Sequence, residues 1–224
     1  RLYFKNEALQ NDDPCQFGFT PQTSTTDCVF VLDTIIRSQH HKRKSTYLCF
    51  VDFTKAFDYI NRNALYYKLM KQNIGDKMLK IIMSMYDKAR ARVCHSGIMG
   101  DSFDSKCGVL QGGILSPKLF NEYLSDLPNF LDHCNGITIN TLNLTHIAYA
   151  DDIVLLASSA EQLQQSVNSL HEFCSKWHLI VNIDKTKAMT FHPKQRKVPQ
   201  LTIFLNNKKI DFVTDFNLLG IRIN

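Results

Sequence analysis

The sequence lacks any run of about 18 apolar residues, which excludes a membrane-spanning helix. It lacks a start methionine and a signal peptide: the N-terminus reads Arg1-Leu2-Tyr3-Phe4-Lys5, so the chain is expected to be a piece of something longer. It lacks paired cysteine spacing. Seven cysteines, an odd number, suggest neither a disulfide framework nor a zinc site and fit a reducing, intracellular compartment. Internal repeats and low-complexity tracts are absent too. What is present is ordinary for a globular protein: 224 residues, 44% apolar and 21% charged, enough for one or two domains with a sizeable core. A net charge of +5 permits nucleic-acid binding without demanding it.

The most informative stretch is Tyr149-Ala150-Asp151-Asp152, with an apolar run on each side. Two short β-prone runs around a polar break read as a tight hairpin in a core sheet. Two adjacent carboxylates at its tip lose hydration and repel each other. A divalent cation relieves both costs, because Mg²⁺ takes carboxylate and phosphate oxygens. Taken alone, a solvated Asp-Asp turn explains the dipeptide better. Upstream, the buried-strand pattern Tyr47-Leu48-Cys49-Phe50-Val51 also ends in an acid, Asp52. If the two strands are neighbours, three acids converge. Two-metal phosphoryl transfer needs this arrangement, with cations about 4 Å apart.

The rest alternates between helices and short strands. Thr25-Thr26-Asp27 is read as the cap of a helix to about Gln39, with Val29, Leu32, Ile36 and Phe30 as candidates for its apolar face. Residues 37–44 then form a basic run, either a solvated loop or a contact with nucleic-acid phosphates through Lys42, Arg43 and Lys44. Helices are expected over 62–72 and 76–87, and a hairpin over 91–107. A loop with three glycines, Gly108 to Pro117, lets a ligand approach closely and opens a helix to about Asp132. Ser159 with Gln162 makes a capping box before a helix that packs by Leu163, Val167, Leu170, Cys174 and Trp177. Strands are expected over 179–181, 188–191, 201–205 and 209–213, the last two joined by an Asn206-Asn207 turn, with one more strand from Phe216 to Ile223.

Phe50-Val51-Asp52-Phe53-Thr54-Lys55-Ala56-Phe57-Asp58, the Gln111-Gly112 loop and Tyr149-Ala150-Asp151-Asp152 resemble the three core motifs of reverse transcriptases, in the expected order. Gln16-Phe17-Gly18-Phe19 with Ser24-Thr25-Thr26-Asp27 resembles the fingers-side motif, although Thr20 and Thr23 stand where the family commonly has arginine. Asn182 with Lys185-Thr186 resembles the lysine motif, and Phe216-Asn217-Leu218-Leu219-Gly220 the primer grip. The resemblance spans nearly the whole chain. Its flavour is that of non-LTR (LINE-type) retrotransposons, with group II intron enzymes sharing much of it.

The resemblance implies an α+β polymerase palm, an antiparallel sheet with helices on one face, plus partial fingers. Residues 1–45 would be partial fingers and 46–200 palm, with a fingers-side segment near 63–107. Residues 201–224 would be a primer-grip hairpin leading to a missing thumb. The implied activity is RNA-directed DNA synthesis with two Mg²⁺ (or Mn²⁺) ions. Asp52, Asp151 and Asp152 match the metal ligands, and Lys185 a candidate acid for the leaving pyrophosphate. Phe53, Phe57, Gln111 and Gly112 match nucleotide contacts, Phe57 as the ring that excludes a ribose 2′-hydroxyl. Leu219 and Gly220 match the hairpin holding the primer end. Implied partners are an RNA template, a DNA primer, deoxynucleoside triphosphates, and an endonuclease, further fingers and a thumb in a longer parent. The implied location is a nuclear or cytoplasmic ribonucleoprotein. An RNA-dependent RNA polymerase is the first rival; Ala150 and Phe57 argue against it, since that class commonly has glycine at the tip and a smaller polar gate residue. A domesticated fragment that binds RNA or a partner without polymerising is the second.

Overall fold

A computed structural model describes residues 13–193 and 202–224. In chain order the elements are α1 (Thr25–His41), β1 (Thr46–Val51), α2 (Arg62–Lys71), α3 (Asp76–Asp87), β2 (Arg90–Ala91), β3 (Cys94–His95), β4 (Ile98–Met99), β5 (Phe103–Asp104), α4 (Ser116–Leu124) and α5 (Leu127–Leu131). They continue as β6 (Ile137–Ile139), β7 (Leu142–Leu144), β8 (His146–Tyr149), β9 (Asp152–Ala157), α6 (Ala160–Trp177), β10 (Lys187–Phe191), β11 (Ile203–Leu205), β12 (Lys208–Phe212), β13 (Phe216–Leu218) and β14 (Ile221–Ile223). They build two compact units, one from Lys55–Leu124 and one from residues 13–54 with the described part of Ser125–Asn224.

The larger unit is a mixed α+β fold around a six-stranded sheet, ordered β11-β12-β10-β1-β9-β8. Pairing is antiparallel except between β10 and β12. β1 is buried along its whole length, as its unbroken apolar sequence requires of a central strand. Leu48 and Phe50 meet Cys28, Val29, Leu32 and Ile35 of α1 in one cluster with Val154, Leu156 and Met189. Cys49 and Leu155 alternate to the other face and are equally buried; α6 packs along β9 and β1. Ser24 caps α1 in a reciprocal box with Asp27. No helix among the described residues is long and apolar enough to cross a membrane.

The smaller unit packs α2 against α3 and α4. Its organiser is Arg62, a buried guanidinium that donates to the carbonyls of Gly108, Tyr86, Ser105 and Cys107 and lies 5.0 Å from the Tyr86 ring centre. These carbonyl oxygens and the Ser105 hydroxyl, at 2.9 Å, satisfy its donors, as burial of a charged group demands.

Several expectations need correction. The helix expected to reach Asp132 is two, α4 and α5, because Pro128 at the start of α5 supplies no N–H to continue the first. Phe216–Ile223 is a hairpin, not one strand: Leu219 (φ 51°) and Gly220 (φ 83°) form the doubly left-handed turn that joins antiparallel strands. Phe30 is 67% exposed, and Cys28 and Ile35 complete the apolar face of α1. α1 continues to His41, so half of the basic run is helical and Lys42, Arg43 and Lys44 follow it on the surface. Within 179–181 the pairing is an isolated bridge, Val181 to Phe53. The strand start expected at Leu201 lies outside the described residues.

Candidate active site

Asp52 stands one residue past β1, and Asp151 and Asp152 lie at the β8–β9 turn. The β1–β9 register pairs Val51 with Ile153, so its next step sets Asp52 opposite Asp152. In the turn from Tyr149 to Asp152, only Ala150 of the two central residues is left-handed, at φ 55°. This is the type II′ pattern, where glycine is the usual occupant of that position.

The electrostatics agree with close approach. Burial is the largest influence on both turn acids and pushes both carboxyls up; repulsion from Asp52 adds to each. Asp152 is pushed up to about 6 by burial, then by Asp151, then by Asp52. Much of Asp152 remains exposed, so water screens part of this repulsion. Three hard oxygen donors with an excess of negative charge suit Mg²⁺ or Mn²⁺. The fit is of charge and donor type.

Backbone contacts hold the acids in place. The Asp52 N–H donates to the hydroxyl of buried Thr186 at 3.2 Å, and the Asp52 carbonyl accepts from Asn182 N–H at 2.8 Å. Thr54 N–H donates to the Ile180 carbonyl at 2.7 Å, and Phe53, buried, bridges to Val181. At the turn, Gln16 Oε1 accepts the Ala150 N–H at 2.8 Å while its Nε2 donates to the Ala150 carbonyl at 3.3 Å. Neither Thr186 nor Gln16 was assigned a role from the sequence. Both were visible only as letters of a motif, since a hydrogen bond across 134 positions leaves no local spacing to read.

The other candidates are distributed. Lys185 is exposed, its N–H donating to Asn182 Oδ1 at 3.3 Å. Leu219 is half-buried against the α1–sheet cluster at the tip of β13–β14, whose Phe216 ring stacks on Phe50 at 4.2 Å. Within the smaller unit, Phe57 stacks on Phe120 at 4.7 Å, and Gln111 Nε2 donates to Asp58 Oδ1 at 2.9 Å. Gln111 and Gly112 are exposed.

A tighter set of metal-binding side chains lies elsewhere. Asp13, Cys15 and His146 bring one ligand atom each to within 4.8 Å of one another, the one such set of three or more among the described residues. It could hold a single cation, and it is not the expected trio of Asp52, Asp151 and Asp152. Its carboxylate is already engaged: Asp13 accepts the Cys15 N–H at 2.9 Å and lies 2.9 Å from His146 Nε2.

The fold and the acid-tipped strands define a polymerase-like palm. Residues 3–223 match the family model described as reverse transcriptase (RNA-dependent DNA polymerase), and the chain belongs to that family. It is related to the Pol proteins of non-LTR retrotransposons. It is 29% identical over 188 residues to the Pol polyprotein of the type-2 retrotransposable element R2DM of Drosophila melanogaster, covering 83% of this chain and 18% of that protein. It is 27% identical over 228 residues to the RNA-directed DNA polymerase from mobile element jockey of Drosophila funebris, covering 99% and 24%. The chain thus spans about a fifth to a quarter of these relatives. Among solved structures, apo telomerase from Candida tropicalis, truncated from its C-terminal domain, superposes with a TM-score of 0.64 at 19% identity, covering 90% of this chain and 38% of that one. That likeness concerns the fold alone.

Proposed function

We propose that this chain is the nucleotide-adding part of an RNA-directed DNA polymerase. The carrying observation is that Asp52, Asp151 and Asp152 lie at the ends of neighbouring paired strands, with burial and repulsion from Asp52 raising both turn carboxyls. Their carboxylates would hold two Mg²⁺ (or Mn²⁺) ions, which when bound neutralise charge on the attacking and leaving oxygens. The reaction forms a bond from a primer 3′-oxygen to the α-phosphorus and breaks the bond to pyrophosphate. Lys185 Nζ would give a proton to that leaving group. Phe53, Phe57, Gln111 and Gly112 would contact the incoming deoxynucleotide, and the Leu219-Gly220 turn the primer end. Lys42, Arg43 and Lys44, exposed after α1, would contact nucleic-acid phosphates.

On this reading residues 1–45 are partial fingers, residues 46–200 are palm with a fingers-side segment near 63–107, and residues 201–224 lead toward a thumb. The protein would work inside the cell in a nuclear or cytoplasmic ribonucleoprotein. Primer extension on an RNA template with deoxynucleotides and Mg²⁺ tests it, using this chain and a longer parent chain. Extension lost in Asp151→Asn with template binding retained supports the reading. Equal extension by wild type and variant removes Asp151 from it. A parent that binds template but never extends would favour the non-polymerising alternative.

A further inference from the structure

The turn that presents Asp151 and Asp152 rests on an unfavourable backbone. Ala150 is left-handed and buried, so its peptide groups pay for a conformation that an L-residue avoids and have little water to bond to. One side chain serves both groups. Gln16 Oε1 accepts the Ala150 N–H at 2.8 Å, and Nε2 of the same carboxamide donates to the Ala150 carbonyl at 3.3 Å. Oε1 also accepts the Gly18 N–H at 2.8 Å, which fixes the plane of the amide. Gln16 is 3% exposed.

The segment carrying it is itself held against β8. Ala148 N–H donates to the Cys15 carbonyl at 2.8 Å, and Phe17 N–H donates to the Ala148 carbonyl at 2.7 Å. Gly18 follows, and a Cβ there would fall 2.1 Å from the Ala150 nitrogen, so only glycine lets the segment lie this close. A buried glutamine must find partners somewhere. Here both ends of the amide meet one residue, the strained one directly before the acids.

We propose that Gln16 is a positioning residue: its carboxamide holds Ala150 in the left-handed conformation and thereby sets how Asp151 and Asp152 are presented to cations. The part concerning cations rests on the function proposed above.

Hydrogen exchange of the Ala150 amide, followed by NMR on the 224-residue chain, tests the clamp without any activity. Gln16→Met keeps the length but removes all three bonds. The Ala150 amide should then exchange roughly tenfold faster or more, while Leu48 and Cys49 amides at the sheet centre keep their rates. Gln16→Glu retains the acceptor oxygen and should restore much of the protection. Gly18→Ala, which drives a methyl into Ala150 with Gln16 intact, should also expose this amide, and it serves if Gln16→Met does not fold. Mn²⁺ titration, read by paramagnetic broadening at Asp151 and Asp152, should show binding weakened several-fold in Gln16→Met. Unchanged exchange at Ala150, a uniform rise at all core amides, or unchanged Mn²⁺ affinity would overturn the proposal. A wild-type chain that binds no Mn²⁺ at these acids would instead count against the proposed function, and the exchange measurement would still decide whether Gln16 holds the turn.

Discussion

Thr186 anchors Asp52 by its side chain: the Thr186 hydroxyl, buried with its residue, accepts the backbone N–H of Asp52 at 3.2 Å. β1 and β10 are paired up to Phe50 and Lys187, so beyond that point the hydroxyl replaces a ladder bond. The acid is thus held by the strand end that carries it and by the loop between α6 and β10.

A first prediction follows for Thr186→Val, which keeps the shape and removes the acceptor. Loss of one partly buried hydrogen bond should cost about 1 kcal/mol of stability. In an active parent chain, kcat should fall several-fold more than that loss of folded protein explains. Thr186→Ser should recover most of the rate. Urea unfolding and steady-state primer extension check the two halves, and equal kcat for the Val and wild-type proteins would make the contact structural only.

A second prediction uses the pair Asp13 and His146, both nearly buried and 2.9 Å apart. Burial alone would raise the Asp13 carboxyl. The hydrogen bond and charge of His146, with the Cys15 N–H, outweigh it and hold the carboxyl below its ordinary 3.8. The folded state therefore releases this proton more readily than the unfolded chain. The stabilisation is present above pH 3.8 and is lost as pH falls through the depressed folded value. Asp13→Asn should cost roughly 1–2 kcal/mol near neutral pH, and the gap to wild type should narrow steadily below pH 3.8 in unfolding measured from pH 6 downwards. A gap that widens with acid would contradict this assignment.

Asp152 has the opposite sign. Its carboxyl is raised to about 6, so the folded state holds the proton more tightly than the unfolded chain. The destabilisation is absent below pH 3.8, grows between 3.8 and 6, and is complete above 6. Asp152→Asn should therefore melt a little higher than wild type at pH 7–8 without divalent cations, by roughly 1–3 °C after screening by water, and at the same temperature near pH 4. Added Mg²⁺ should raise the wild-type melting temperature more than the variant's. Calorimetry with and without Mg²⁺ at two pH values decides it, and no difference between the proteins at pH 8 would refute it.

The sequence announced what depends on neighbours along the chain. Apolar runs marked β1 and β9, Ser159 marked a helix start, and Asn206-Asn207 marked a turn, because strand alternation, caps and left-handed turns are local physics. It did not announce what depends on chain folded back from far away. The Asp13–Cys15–His146 set joins positions 133 apart in its Asp–His pair, and Gln16 reaches Ala150 across 134. Leu219 misled for another reason: an aliphatic residue in a left-handed turn contradicts its own propensity, so Phe216 to Ile223 looked like unbroken strand. Such local exceptions concentrate where surrounding structure overrules them, as at Ala150.

Phe57 provides the last prediction. One reading makes it a sugar gate, the other a packing residue, and the structure gives it a packing partner. Its ring stacks on fully buried Phe120 at 4.7 Å with 20° between planes, and its carbonyl accepts the Val109 N–H at 2.9 Å. Phe57 is only half-buried, so part of the ring remains available for a second contact. The two roles therefore differ in what a smaller side chain changes. Losing the stacked pair in Phe57→Ala should cost about 2–4 kcal/mol of stability, most of it from buried apolar area. Phe57→Val should cost less. A gate acts by overlap with a 2′-hydroxyl, a clash worth about 1–3 kcal/mol, or roughly tenfold per 1.4 kcal/mol in relative incorporation. In a parent chain that extends primers, Phe57→Val should raise ribonucleotide use relative to deoxynucleotide by roughly fivefold or more. The comparison is a ratio on one enzyme preparation, so partial unfolding cancels. Phe120→Leu supplies the control: it loosens the same stack and leaves the Phe57 ring in place. If that change shifts the sugar ratio as much as Phe57→Val, packing alone sets selectivity and the gate assignment fails; a ratio altered only at Phe57 establishes that the ring itself meets the sugar.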